Sequence, residues 1–132
     1  MKTAICFTGT GRSLDYTHKN IKENLIKDFH DCDVFILGAD SPHSNKIVEY
    51  FKNERYVKSL AIVEEPEYDL SGLRFRPEWP ASKLSSRQVY IKMIQSRKQM
   101  EQIISDYESK NGVSYDRVIF SRLDVRYFDS EY

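Results

Sequence analysis

This chain has few cysteines, glycines and prolines, and it has no long apolar run. Its 132 residues include two cysteines, five glycines and four prolines. Two thiols do not make the disulfide framework of a small secreted domain, so we expect Cys6 and Cys32 to be reduced and partly buried. No window reaches the roughly 18 apolar residues of a membrane span, and the start lacks the features of a signal peptide. We therefore expect a cytoplasmic protein without a membrane span.

An excess of charge of one sign is also missing. The 20 basic residues balance the 20 acidic residues. No overall field then favours nucleic acid or an anionic membrane, and we expect neither as a partner. Nine tyrosines and seven phenylalanines indicate a folded core rather than disorder. The length suits one domain, which we assign to residues 1–132.

Apolar runs alternate with helical patterns along the chain. Strands are predicted at Thr3–Phe7, Asp33–Gly38, Val57–Val63 and Tyr115–Arg122, and helices at Leu14–Phe29, Ser44–Phe51 and Leu84–Lys110. The residues from Glu64 to Ala81 are polar, rich in proline and irregular. This order predicts an α/β fold, a Rossmann-like three-layer domain with a mostly parallel sheet of strand order 3-2-1-4 and helices on both faces. The first and fourth strands would then flank the topological switch point, where such sheets bind ligands.

The first strand is followed by a polar turn, Thr8 to Ser13, that contains Gly9, Gly11 and Arg12. Two glycines allow a tight turn whose N–H groups approach an anion, and a helix start and an arginine both favour phosphate. The alternative is an ordinary strand-to-helix turn with a surface arginine. Leu14 stands where a dinucleotide-binding fingerprint needs its third glycine, and the Walker A pattern is also missing.

The fourth strand ends in Arg122 and Asp124, two charges at the strand period of two. Burying two charges inside the sheet would cost much free energy, so we expect such a pair at the carboxyl end of a buried strand. Asp124 would offer a carboxylate to Mg²⁺ or Mn²⁺, which take oxygen ligands and often bridge to phosphates. The alternative is an ion pair that closes the strand end.

The long helix begins with polar residues, among them Gln88. Their side chains would either contact a base or sugar or face solvent. The three histidines have no metal-site spacing, and no nucleophile motif is present. The sequence therefore leaves the catalytic residues unassigned.

These segments resemble a group of glycosyltransferase-like proteins. In that group the first strand ends in a Ser-Gly-x-x-Arg turn, here Thr8 to Arg12, and the next helix carries an Asn-Ile-x-x-Asn-like run, here Asn20 to Asn24. The second strand begins Asp-Val-Phe-Ile, and the likeness continues at Gln88–Met93 and through the last strand. The resemblance covers almost the whole chain.

The resemblance implies the GT-A fold, a nucleotide-sugar donor, a glycan or other hydroxyl acceptor and usually Mn²⁺ or Mg²⁺. By analogy Thr8, Gly9 and Arg12 would contact the nucleotide, Gln88 the donor, and Asp124 the metal. Arg122 replaces the first acid of the usual Asp-x-Asp pair. An arginine there would itself neutralise the diphosphate, as in cation-independent transferases.

Enzymes of this group continue into an acceptor-binding half that supplies the catalytic base. We therefore expect this chain to be the amino-terminal, donor-binding part of a longer transferase. Two other functions remain open, a sugar nucleotidyltransferase and a non-catalytic nucleotide-binding or interaction module. The donor sugar, the acceptor and the oligomeric state are not predicted.

Overall fold

The computed structural model describes residues 2–29, 31–64 and 84–124. The strands are β1 (Thr3–Gly9), β2 (Cys32–Ala39), β3 (Val57–Val63) and β4 (Arg117–Arg122), and the α-helices are α1 (Leu14–Asn24), α2 (Ser44–Phe51) and α3 (Leu84–Asn111). Within these residues no helix combines the length and the hydropathy needed to cross a membrane. Most of the segment predicted to be irregular, residues 65–81, lies outside the described residues.

The four strands form one parallel sheet in the order β3-β2-β1-β4. The predicted α/β fold, the strand order and the edge position of β3 are confirmed. The predicted first helix is shorter than expected, because α1 ends at Asn24 and a 3₁₀-helix follows at Ile26–Asp28. The strand register places Thr8 of β1 opposite both Leu37 of β2 and Arg122 of β4.

One face of the sheet is covered by α1 and α2. Its core combines strand and helix side chains that are almost fully buried, among them Ile5, Phe7, Leu14, Ile21, Ile47 and Phe51. The rings of Phe7 and Phe51 stack with centroids 6.4 Å apart. Continuous apolar strands such as β1 are explained by this burial, since the opposite face of the sheet is covered as well.

The other face is covered by α3, and among its described side chains the buried ones lie in the carboxyl-terminal half. Met100 and Ile104 are buried against Ala4, Cys6 and Phe35 of the sheet, and burial raises the pKa of the Cys6 thiol to about 12. Met93 and Ile94 of the same helix are also apolar, but they are 53% and 44% exposed. The amino-terminal half of α3 therefore extends past the core toward the carboxyl end of the sheet.

The amino end of the sheet is closed by polar contacts among its strands. The Tyr115 hydroxyl donates to Oδ2 of the buried Asp33 at 2.6 Å, and Lys2 Nζ lies 3.6 Å from the same oxygen. Burial and this hydrogen bond raise the pKa of Tyr115. Arg117 Nε donates to Thr3 Oγ1 at 2.8 Å. These contacts satisfy polar groups that β1, β2 and β4 bring together at one edge.

A second polar cluster joins α1 to α2 at the surface. Asp15 accepts from Lys46 Nζ and from the Tyr50 hydroxyl, each at 2.6 Å. These two hydrogen bonds lower the pKa of Asp15. The His18 ring stacks on Tyr50 with centroids 3.9 Å apart. The cluster joins the amino-terminal part of α1 to both turns of α2.

Candidate functional site

A crevice of about 430 Å³ opens at the carboxyl ends of β1 and β4. Its strand side is made by residues at these two strand ends and the turns that follow them: Thr8, Gly9, Thr10, Phe120, Ser121, Arg122 and Asp124. Thr8 and Arg122 are neighbours in the register, which is why both strand ends reach the same opening. The position is the topological switch point at which parallel α/β sheets bind ligands.

The turn after β1 uses its two glycines in different ways. Gly9 has φ +126°, a backbone conformation that residues with a side chain rarely adopt. Gly11 is packed so closely that a Cβ would stand 2.3 Å from the His43 carbonyl oxygen. Gly9 therefore shapes the crevice, whereas Gly11 allows the turn to pack against the start of α2.

The start of α1 is already engaged with the same turn. The Leu14 N–H donates to the Gly11 carbonyl at 3.2 Å, and the Tyr16 N–H donates to the Ser13 carbonyl at 2.9 Å. These first-turn groups are the ones a bound anion would use. The turn is thus held largely by its own hydrogen bonds.

A buried leucine fixes the end of β4. The Leu123 N–H donates to the Thr8 carbonyl at 3.2 Å, and the buried Thr17 hydroxyl donates to the Leu123 carbonyl at 2.7 Å. Arg122 and Asp124 flank this residue and both lie exposed in the crevice wall, as the period of two predicts. Arg122 Nη2 donates to Asp124 Oδ2 at 2.9 Å, so the two form an ion pair.

The opposite wall comes from α3, which contributes Lys92, Met93, Ser96 and Arg97. The Arg97 guanidinium lies over the Phe120 ring, 4.4 Å from its centroid. Arg97 Nε also lies 3.6 Å from Glu101 Oε1, an exposed pair along the helix. Our sequence analysis did not single out these four residues. The sequence feature that could have revealed them is their spacing. Lys92 and Ser96 are four residues apart, as are Met93 and Arg97, so each pair is adjacent on the helix surface.

The comparison with protein families covers nearly the whole chain. A family described as "Domain of unknown function (DUF7796)" matches residues 1–131. The chain belongs to the DUF7796 family. That description names no activity. No curated protein and no solved structure shows a significant match.

Four of the predicted site residues meet in the crevice of this DUF7796 member. These are Thr8, Gly9, Arg122 and Asp124. Gly11 is a buried residue of the turn itself. Among the described residues that line the crevice, neither Gly11 nor Arg12 is present. Gln88 lies half-buried on α3, four residues before Lys92. The roles predicted for all of these residues stay predictions.

The crevice residues do not fit a divalent cation. The Asp124 carboxylate is already paired with Arg122, and Lys92 and Arg97 line the same opening. Across residues 2–29, 31–64 and 84–124, no three His, Cys, Asp or Glu side chains are grouped to hold a metal ion. Hard cations need several oxygen ligands, whereas the described residues of this wall offer one carboxylate beside three cationic groups. The chemistry of the wall favours an anion.

Proposed function

We propose that this DUF7796 domain is the donor-binding domain of a GT-A-like glycosyltransferase, and that it binds a nucleotide sugar in the crevice. The observation that carries the proposal is the meeting of the β1 turn and the Arg122–Asp124 strand end at one opening of about 430 Å³. That volume lies within the usual range for small-molecule sites. The resemblance of the same segments to glycosyltransferase-like proteins supports the choice of ligand.

The crevice combines groups suited to both ends of such a ligand. Arg122 presents a planar fork of donors that matches phosphate oxygens. Thr8 and Thr10 also line the crevice, and threonine hydroxyls can bond sugar or phosphate oxygens. Met93 and the Phe120 ring add apolar surface, against which a base would pack.

The proposed reaction transfers the sugar from the donor to a hydroxyl acceptor. The bond between the anomeric carbon and the phosphate oxygen breaks, and its electron pair leaves with the nucleoside diphosphate. The acceptor oxygen bonds to the anomeric carbon and gives its proton to a base. The cationic groups of the crevice would stabilise the charge that develops on the leaving diphosphate. We assign no residue as the base.

A non-catalytic nucleotide-binding module is the second candidate. It is favoured by the state of Asp124, which is the one carboxylate of the described crevice lining and is paired with Arg122. An acceptor hydroxyl would compete with Arg122 for the oxygens of this carboxylate. The sugar nucleotidyltransferase has no such observation in its favour.

Calorimetric titration with a panel of nucleotide sugars, each with and without Mn²⁺, tests the proposal. We expect at least one member to bind, and Arg122→Gln to weaken that binding by about 1.5–3 kcal/mol, the range for hydrogen bonds to charged groups. Arg55→Gln is the matched control, because Arg55 is exposed near the amino end of β3. Arg12→Gln, measured beside them, tests the predicted contact from the turn.

The outcomes separate the candidate functions. No binding by any panel member at millimolar concentration would contradict the proposal. Hydrolysis of the bound donor to free sugar supports the transferase, whereas binding without any turnover favours the non-catalytic module.

Cys6 and Cys32 are both free thiols, which suits a reducing compartment, and we propose a cytoplasmic location for the protein.

A further inference from the structure

We infer that Lys92 and Arg97 of α3 act together with Arg122 of β4 as a cationic clamp that holds the phosphates of the ligand without a divalent cation. The inference rests on the proposed function and names the groups that would perform its phosphate recognition. Ser96 lies between the two α3 cations and adds a hydroxyl donor to the same wall. The clamp thus has one side on a strand end and one side on a helix.

The charge of the crevice supports this assignment. Among the described residues, Lys92, Arg97 and Arg122 line it with one carboxylate, Asp124. This excess of cationic side chains repels a divalent cation and attracts a diphosphate. Inside a partly enclosed crevice such interactions are screened less than at an open surface. Cations of the protein therefore take the place that a metal ion has in metal-dependent sites.

The two arginines are held ready for a phosphate group. Arg97 is stacked on the Phe120 ring at 4.4 Å, which fixes the plane of its guanidinium beside the opening. Its other partner, Glu101, is exposed, and an exposed pair of this kind contributes little. Arg122 is placed by the buried Leu123 beside it and by its pairing with Asp124. Both guanidinium groups can exchange a weak partner for phosphate with little loss of side-chain entropy.

The position of α3 explains why these cations reach the strand ends. The carboxyl-terminal half of the helix is anchored by Met100 and Ile104 in the core. One to two turns earlier the helix has passed the sheet, and Met93 is 53% exposed. Residues 92, 96 and 97 therefore face the crevice rather than the core. Lys92 and Ser96 are four residues apart, as are Met93 and Arg97, so each pair is adjacent on the helix surface.

The test is a titration of uridine, guanosine and adenosine diphosphates and of inorganic pyrophosphate, in buffer with EDTA and in buffer with Mg²⁺ or Mn²⁺. We expect at least one nucleoside diphosphate to bind in EDTA within about threefold of its affinity with metal. Lys92→Gln and Arg97→Gln should each weaken that binding about tenfold or more, the equivalent of losing one charged hydrogen bond. Asp124→Asn should raise the affinity in EDTA, because it removes a negative charge from the crevice wall and releases Arg122 from its ion pair.

Matched controls separate the clamp from general charge. Lys98→Gln removes an exposed lysine of the same helix, and Arg55→Gln removes an exposed arginine just before β3. Neither residue lines the crevice. Both should bind like the wild type. All five substituted positions are at the surface or half-buried, so circular dichroism should show the same fold for every variant.

Each failure has a different meaning. Binding that needs Mn²⁺ or Mg²⁺ and is lost in Asp124→Asn would overturn the metal-free clamp and leave the proposed function standing. Metal-free binding that Lys92→Gln and Arg97→Gln weaken no more than the controls would also overturn the clamp. No binding of any probe in any buffer would overturn the clamp and the proposed function together.

Discussion

The two ends of the sheet are built from the same strands but treat their polar side chains differently. At the amino end Asp33, Tyr115 and Lys2 satisfy one another, and Asp33 is buried. At the carboxyl end Arg122 and Asp124 are paired but exposed, 57% and 43% respectively, at the edge of an open crevice. The first end is part of the stability of the fold, and the second is available to a ligand.

The contribution of a polar residue at a strand end to stability depends on whether its surroundings bury it. A buried carboxylate is costly unless every partner is present, so the amino end tolerates little change. An exposed ion pair contributes little to stability, so the carboxyl end is free to be adapted for binding. Perturbing the two ends in parallel tests this division.

The largest effect is expected for Asp33→Ala. The change removes the buried acceptor of the half-buried Tyr115 hydroxyl and a partner of Lys2, and it should lower the free energy of unfolding by about 3 kcal/mol. Urea unfolding measures the loss. Asp124→Ala is the matched change at the other end and should cost less than about 0.5 kcal/mol. Equal losses from the two variants would remove the distinction between the ends.

Thr17→Val should follow with a loss of about 1–2 kcal/mol in unfolding free energy, because it leaves the Leu123 carbonyl without its buried donor. Because Leu123 positions Arg122 and Asp124, ligand affinity should fall as well. Thr17→Ser keeps the hydroxyl and should retain the affinity. A Val variant that binds ligand as well as the wild type would show that this hydrogen bond does not position the site.

Tyr115→Phe should cost about 1 kcal/mol near neutral pH, because Asp33 keeps Lys2 as a partner. The pKa of Tyr115 is raised in the folded protein above its ordinary value of 10.0. Its contribution is therefore complete below pH 10.0 and is lost as the pH rises through the higher folded value. Urea unfolding at pH 8, 10 and 11 should show the difference between the two proteins shrinking with pH. A constant difference would contradict this account of the amino end.

The smallest effect is expected for Asp15→Asn, at the surface between α1 and α2. The pKa of Asp15 is lowered below 3.8 by hydrogen bonds from Lys46 and Tyr50, so its contribution is complete above pH 3.8 and is lost as the pH falls below it. Thermal unfolding should show a slightly lower Tm for the variant at neutral pH and none of that difference in strong acid. High salt should reduce the effect. A gap between the two proteins that persists in acid would rule out this carboxylate as its source.

Much of the fold could be predicted from the sequence. The apolar runs of β1 and β2 predicted a sheet covered on both faces, and the alternation with helical patterns predicted a parallel sheet in the order that is observed. Element bounds were close, and Ser44–Phe51 and Val57–Val63 agree at both ends. The shortened α1 was missed, because Leu25 and Ile26 continue the apolar pattern across the helix end.

Parts of the candidate site were also within reach of the sequence. Thr8, Gly9, Arg122 and Asp124 follow strands that the pattern predicted to be parallel neighbours, so their meeting in one crevice follows from topology. Gly11 could not be interpreted in this way. Its importance comes from the His43 carbonyl, which lies in another connection of the chain.

The sequence by itself determined which residues form strands and which strand ends carry charge, because these depend on local periodicity. Only the tertiary structure decided what faces those ends. Whether Lys92 and Arg97 point at solvent or at a crevice depends on how far α3 extends past its anchor at Met100 and Ile104. Whether an acidic residue such as Asp33 or Asp124 is buried or open depends on which distant groups pack over it. Distances between segments that are remote in sequence arise from packing, and packing is a property of the whole chain.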